Sequence, residues 1–203
     1  VPAEVSVRGF GHWNFGLAAI LLADASDVRA LVAFSHYVVV LNLLADVPAN
    51  DRLAAPPAPI IVLMAIFGAL GYGTSRGVVP LWIAAASAIV NGLQFFITPK
   101  AAWKAYGADG KGVSEEAVVW TRLIGWSIVL RGIYMGSLIL GAARKDAMGF
   151  TFVAAALNGL RFALFDAETI GASKYSRIYF VAFPLLVAAA SFATLEPSEL
   201  LSP

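Results

Sequence analysis

Residues 118–140 read VVWTRLIGWSIVLRGIYMGSLIL. This stretch decides the fold, because it is mostly apolar and contains no charged residue other than Arg122 and Arg131. About 20 consecutive, mostly apolar residues are the length that a helix needs to cross a bilayer. Similar blocks recur along the chain, which is 60% hydrophobic and only 13% charged; soluble domains carry roughly 25% charged residues. The sequence therefore predicts an all-α, polytopic membrane helical bundle whose first partner is the lipid bilayer.

Apolar runs and the residues that break them predict about seven transmembrane helices. The expected spans are 7–23, 28–46, 59–72, 79–98, 115–142, 147–165 and 177–195. We divide the chain into an N-terminal three-helix module, residues 1–77, and a C-terminal four-helix module, residues 78–203. The loops expected on the N-terminal side carry more Lys and Arg than the opposite loops. This predicts an N-terminus on the cytoplasmic, stromal or matrix side.

The overall composition excludes several classes of function. The formal net charge is +1, whereas nucleic-acid binding needs a basic surface. The chain has no cysteine, which excludes disulfides and thiolate metal sites. It also lacks a phosphate loop, a Ser-His-Asp set and a His-Glu-x-x-His motif, so we expect no catalytic residues and no metal site. Because the chain begins at Val1, we interpret it as a processed protein or a fragment.

Two stretches of the chain resemble each other and predict an internal repeat. Each opens a helix with Arg-x-x-Gly, continues through a short charged turn, and then has an early aromatic residue and a late asparagine. The matching positions are Arg8, Gly11, Gly16, Arg29, Phe34 and Asn42 in the first stretch, and Arg122, Gly125, Gly132, Lys145, Phe150 and Asn158 in the second. On this alignment the first helix pairs with the fifth, the second with the sixth and the third with the seventh.

The second half also carries a family resemblance. Residues 95–107 read FFITPKAAWKAYG, and Arg122-Leu-Ile-Gly125 opens the next long helix, which also contains Gly132 and Gly136. Residues 79–194 thereby resemble the DoxX-like families of small four-helix membrane proteins. The resemblance implies two four-helix modules of which the first lacks its first helix. It also implies a partner role in quinone or sulfur redox chemistry, although the cysteines that some redox-active members use are absent here.

Ionisable residues within a membrane are candidates for function by default. Arg131 stands near the middle of the fifth predicted helix, and we expect it to pair with Asp166, Glu168 or backbone carbonyls, or else to contact a ligand headgroup. Asn158 and Arg161 share one face of the sixth helix, and the expected role of Asn158 is a hydrogen bond to a neighbouring helix, with a ligand contact as the alternative. Together with Arg122, these residues form the predicted ligand pocket. Arg161 lies near a helix end, where its side chain can also reach the interface.

The remaining polar candidates have two interpretations each. His36, near the centre of the second helix, could ligate a pigment or relay protons, or could hydrogen-bond to a neighbouring helix. His12 is a weaker candidate of the same kind. Interhelical hydrogen bonding is the expected role of three further amides, which are Asn42, Asn91 and Gln94.

Three functions remain open at this point. The first is a non-catalytic accessory or scaffold subunit of a larger photosynthetic or respiratory membrane complex. The second is a DoxX-like redox partner that handles a quinone or a similar lipid-soluble molecule. The third is a small transporter, since repeats and midplane charges mark such folds.

Overall fold

The computed structural model describes residues 2–23, 26–52, 58–105 and 113–193, and over these ranges the chain is helical with no β-strand. The helices are α1 (Pro2–Leu22), α2 (Val28–Arg52), α3 (Ala58–Ser75), α4 (Leu81–Ile97), α5 (Pro99–Ala105), α6 (Glu115–Ile139), α7 (Arg144–Arg161) and α8 (Lys174–Ala193). A π-helical turn, Phe162–Asp166, extends α7. The all-α prediction is therefore confirmed.

Two predicted helix starts are confirmed by their capping bonds. The backbone N–H of Ala30 donates to Asp27 at 3.0 Å, and that of Ala117 donates to Ser114 at 3.1 Å. Such bonds satisfy N–H groups that have no partner in the first helical turn. The short helix α5 was not predicted, because it lies in a stretch without the apolar periodicity of a longer helix. Residues 162–165 fall within the sixth predicted span, but an apolar run does not distinguish a π-helical turn from an α-helix.

The helix α6 occupies the centre of the bundle, where it packs against α1, α4 and α7. It runs parallel to α1: Phe10 packs on Trp120 with ring centroids 5.4 Å apart, and Ser127 donates to Asn14 further along both helices. The pairs α1–α2, α2–α3, α4–α6, α6–α7 and α7–α8 are antiparallel. The long helices therefore alternate in direction along the chain.

Glycines allow α4 and α6 to approach each other closely. A Cβ added at Gly125 would lie 2.6 Å from the carbonyl oxygen of Gly92, and one at Gly132 would lie 3.0 Å from that of Ala85. A Cβ at Gly136 would lie 3.7 Å from the nearest atom, which is an ordinary contact. Gly132 thus packs closely on α4, as is typical of small residues in membrane helices, and Gly125 approaches the α4 backbone still more closely.

Three segments are long and apolar enough to cross a membrane: Val28–Val47, Arg144–Asp166 and Lys174–Ala193. Of the seven spans that we expected, three reach this length and composition among the described residues. The apolar helical segments Ile60–Ser75 and Leu81–Ile97 are shorter, at 16 and 17 residues. In α6 the polar positions Arg122 and Arg131 reduce the apolar character, and in α1 the polar positions His12 and Asn14 do the same.

Candidate functional site

A cavity of about 360 Å³ lies between α1, α6, α7 and α8. Its wall is mostly aromatic and aliphatic, and the amide and hydroxyl side chains in it are those of Asn14, Ser127, Asn158 and Tyr179. We call this space the asparagine cavity. A mostly apolar pocket of roughly 300–1,000 Å³ with a few convergent polar groups is typical of small-molecule sites.

A proline and a glycine shape the wall formed by α7 and α8. Pro184 lies inside α8 and has no N–H, so the carbonyl of Phe180 lacks its helical donor. Gly159 of α7 packs on this carbonyl, and a Cβ at Gly159 would collide with the Phe180 oxygen. The two helices therefore come close at this point, where Gly159, Phe180 and Pro184 all line the cavity.

The polar groups of the cavity are only partly satisfied by the protein. The Asn14 amide donates to the carbonyl of Phe10 at 2.7 Å, and the Ser127 hydroxyl lies 3.1 Å from both Asn14 Oδ1 and the Leu123 carbonyl. Asn158 is 9% exposed and its Oδ1 has no hydrogen-bond partner. Leaving a buried polar atom without a hydrogen-bond partner costs about 1–3 kcal/mol of stability. A ligand that hydrogen-bonds to Asn158 would remove this cost, so Asn158 is the most favourable polar contact in the cavity.

Arg131 borders a second, narrower space, which we call the Arg131 cleft. Its lining includes Trp13, Gly16, Asn42 and Ser127, so it shares Ser127 with the asparagine cavity. Arg131 is 6% exposed, its guanidinium lies 5.9 Å from the centroid of the Trp13 ring, and its Nε has no partner. No acid pairs with this cation among the described residues.

The expected pairing of Arg131 with Asp166 or Glu168 is therefore wrong. Asp166 Oδ1 lies 3.1 Å from Arg122, and its Oδ2 lies 2.6 Å from Arg161. Glu168 lies near Arg177. Arg131 stands nine residues beyond Arg122 and hence about 13 Å further along α6, which puts it out of reach of Asp166.

The two histidines do not form a common site. His36 is 3% exposed, its Nδ1 donates to the Val32 carbonyl at 2.9 Å, and its Nε2 has no partner. His12 is bonded to Asp46 on α2, with Nε2 and Oδ1 2.7 Å apart. Asp46 is ten residues beyond His36, or about 15 Å along α2, so the two imidazoles lie at different depths.

The Nε2 atom of His36 has no hydrogen-bond partner, but it is buried inside the bundle. The Phe67 ring centroid of α3 is 6.2 Å away, and a Cβ at Gly71 would lie 3.2 Å from the His36 Cβ. A pigment could reach Nε2 only after α3 had moved. Within the described ranges no group of three or more His, Cys, Asp or Glu residues could hold a metal ion.

The three predicted hydrogen-bonding amides have different fates. Asn42 packs on Gly16, where an added Cβ would lie 2.8 Å from its Nδ2, and it lines the Arg131 cleft. Asn91 is half-buried and Gln94 is exposed on α4. The amide side chains of Asn91 and Gln94 make no hydrogen bond in the described part of the chain, so the expected interhelical bonds are wrong there. The reason is that α4 presents its alanines and Gly92, rather than its amides, for burial.

Sequence reasoning missed Asn14 and Ser127, although both lie in apolar helices. Ser127 precedes Arg131 by four residues and so shares its helix face, which was an available signal. Asn14 is bonded to Ser127 across 113 residues of sequence, and no local pattern predicts such a partner.

Comparison with known proteins adds no identification. No family model, no curated protein and no solved structure matches this chain. The resemblance to the DoxX-like families therefore stays a prediction.

Proposed function

We propose that this chain is a multi-pass integral membrane protein that binds a small lipid-soluble molecule with a polar ring, such as a quinone, in the asparagine cavity. The observation that carries the proposal is the buried, unpartnered Oδ1 of Asn158 in a mostly apolar cavity of about 360 Å³. An amide can present an acceptor to a quinol hydroxyl or a donor to a quinone carbonyl, depending on its orientation.

The multi-pass arrangement is supported by the alternating directions of the long helices and by their outer surfaces. Large apolar side chains are widely exposed, among them Phe15, Leu22, Trp82, Leu140 and Phe165. A soluble monomer rarely exposes contiguous apolar patches larger than a few hundred Å², whereas lipid tails solvate such a surface. Seven crossings, with an N-terminus on the inner side, are the topology that we propose.

The lack of native cysteine gives this topology a direct test. Ser75 at the end of α3 and Thr169 after α7 are both exposed. In Ser75→Cys and Thr169→Cys variants, a membrane-impermeant maleimide should label the two positions from opposite sides of sealed vesicles. Labelling of both from the same side would exclude the alternating topology.

Ligand binding can be tested by titrating the purified protein with a short-chain quinone while following tryptophan fluorescence, since Trp126 lines the cavity. We expect Asn158→Leu to weaken binding about five- to tenfold, the size of one lost hydrogen bond. Asn91→Leu is the matched control, because Asn91 does not line the cavity. Ala155→Phe should block the cavity itself. Equal affinity in all three variants and the wild type would contradict the proposal.

A role as an accessory subunit is the second candidate, and the exposure of α8 favours it. Only 6% of the most apolar segment of α8 is buried within the bundle, and Leu186 is 70% exposed. Such a face is available to a partner subunit as well as to lipid. A photo-crosslinking residue at Leu186 should then capture a protein in native membranes, whereas one at Val90 of α4, 68% exposed, should capture only lipid. Lipid adducts at both positions would speak against a partner on α8.

A further inference from the structure

A charged cluster joins α6 to the end of α7 and lies outside the asparagine cavity. It consists of Arg122, Arg161 and Asp166, and we call it the arginine clamp. The two carboxylate oxygens of Asp166 are each taken by a different arginine, at 3.1 Å from Arg122 Nη1 and 2.6 Å from Arg161 Nη1. The side chain of Asp166 is only 5% exposed, whereas those of Arg122 and Arg161 are 31% and 28% exposed. The buried carboxylate of Asp166 thus holds the two arginines, and their side chains remain partly accessible from the surface.

Local backbone structure holds the clamp in place. The π-helical turn Phe162–Asp166 closes with a bond from the Ala167 N–H to the Phe162 carbonyl at 2.9 Å, and this turn carries Asp166. π-helical turns inside α-helices are rare and occur frequently at functional sites. The Arg161 guanidinium also lies 4.8 Å from the centroid of the Phe96 ring on α4, which fixes one face of the guanidinium and leaves its N–H edge accessible.

The two arginines and the one aspartate of the clamp leave a net charge of +1. At the same end of the bundle, Lys100 pairs with Glu115 at 2.9 Å and Arg177 lies 3.7 Å from Glu168. In each of those pairs one cation meets one acid, whereas Asp166 serves two arginines. A guanidinium has five N–H donors, and each arginine of the clamp uses its Nη1 on Asp166. Their other N–H groups have no protein acceptor among the described residues.

In the proposed topology the clamp lies in the half of the bundle that faces the inner side of the membrane. Arg122 is seven residues into α6, or about 10 Å from its first residue, and Asp166 ends the π-helical turn. Basic sites between transmembrane helices on the inner side bind the phosphates of anionic lipids. A guanidinium recognises phosphate through two parallel N–H···O bonds. We propose that the arginine clamp binds a phosphate group, supplied by the headgroup of an anionic lipid.

The test compares the protein in nanodiscs of phosphatidylglycerol and of phosphatidylcholine, followed by native mass spectrometry of the retained lipid. The wild type should retain phosphatidylglycerol in preference to phosphatidylcholine. Arg122→Gln and Arg161→Gln should each weaken retention about tenfold, the size of a charge-assisted hydrogen bond. Arg76→Gln at the opposite end of the bundle, where Arg76 packs over the Tyr72 ring, is the matched control and should change nothing.

Asp166→Asn separates phosphate binding from a purely structural role. This variant removes the acid that competes with phosphate for the two guanidiniums, so retention should rise or stay unchanged. If the cluster only links α6 to α7, then Asp166→Asn should lower retention together with the arginine variants, and that result would overturn the proposal. Arg161→Lys provides a folded variant in case glutamine is not tolerated: it keeps the charge but loses the planar donors, and its retention should lie between the wild type and Arg161→Gln.

The source of the phosphate is decided by a separate titration of lipid-free protein in detergent with inorganic phosphate. Saturable binding that Arg161→Gln weakens would support phosphate recognition with a free anion as the ligand. Retention of phosphatidylglycerol without binding of inorganic phosphate would support a lipid headgroup. Binding of neither phosphatidylglycerol nor inorganic phosphate would overturn the proposal, while the quinone titration of the asparagine cavity would be unaffected.

Discussion

Substitution of a single glycine should measure how closely α4 and α6 approach each other. A Cβ at Gly125 would meet three atoms of α4: the Gly92 oxygen at 2.6 Å, the Phe96 nitrogen at 2.7 Å and the Phe95 Cβ at 2.8 Å. Ordinary contacts begin at 3.4 Å, so the helices would have to separate by about 0.8 Å. Backbone atoms and a Cβ next to the backbone cannot rotate away, so the change in Gly125→Ala has to be accommodated by moving a whole helix.

The expected cost follows from two opposing terms. Overpacking a well-filled interior destabilises by about 1–3 kcal/mol, while replacing glycine by alanine in a helix stabilises by up to about 1 kcal/mol. We therefore expect a net loss of about 1–2 kcal/mol for Gly125→Ala. Because each kcal/mol moves the Tm of a protein of this size by roughly 2–4 °C, the Tm should fall by about 2–8 °C.

The matched control lies on the same helix. At Gly136 the added Cβ would meet only the Ala85 Cβ at 3.7 Å, so Gly136→Ala keeps the gain in helix propensity without a collision. Thermal unfolding in detergent, followed by near-UV circular dichroism, should give a Tm for Gly136→Ala at or above that of the wild type. A Tm for Gly125→Ala equal to that of Gly136→Ala would refute the close packing of α4 on α6.

Three further predictions concern charged groups. Arg131→Met removes a buried cation that has no acid partner in the described ranges, so the free energy of unfolding should stay level or rise by about 1 kcal/mol; a loss of several kcal/mol in detergent denaturation would reveal a partner. A double-mutant cycle with His12→Ala and Asp46→Ala should give a coupling of about 0.5–1.5 kcal/mol, and a value near zero would contradict the 2.7 Å contact. The hydrogen bond from Lys100 holds the pKa of the Glu115 carboxyl below its ordinary value of 4.5. This ion pair therefore stabilises the fold above pH 4.5, and the stabilisation is lost as the pH falls through the lowered pKa. An NMR titration of Lys100→Gln should show a higher pKa for Glu115 than in the wild type.

The sequence predicted the helices better than it predicted their neighbours. Apolar runs located the long helices, and capping residues such as Asp27 and Ser114 marked where two of them begin. Both signals are local, because they depend on the solvation and hydrogen bonding of one segment. The number of spans was less certain: polar residues within α1 and α6 weaken the composition signal that a hydrophobic helix gives.

The partners of the polar residues could not be predicted in the same way. Asp166 and Glu168 were the nearest acids to Arg131 in the predicted arrangement, but the π-helical turn directs Asp166 towards Arg122 and Arg161. The asparagine cavity depends on how closely α7 and α8 meet at Gly159 and Phe180. Rotation and tilt of a helix about its neighbours are set by packing, and one sequence without its relatives carries little information about either.

The parallel contact between α1 and α6 has a consequence for biosynthesis. Asn14 and its partner Ser127 are separated by 113 residues, and a ribosome adds roughly 5–20 residues per second. The first helix must therefore remain in the bilayer for about 6–23 s before its neighbour has been synthesised. During that interval α1 can pack on α2 but not on α6, so this part of the bundle is expected to be completed only after α6 has been inserted.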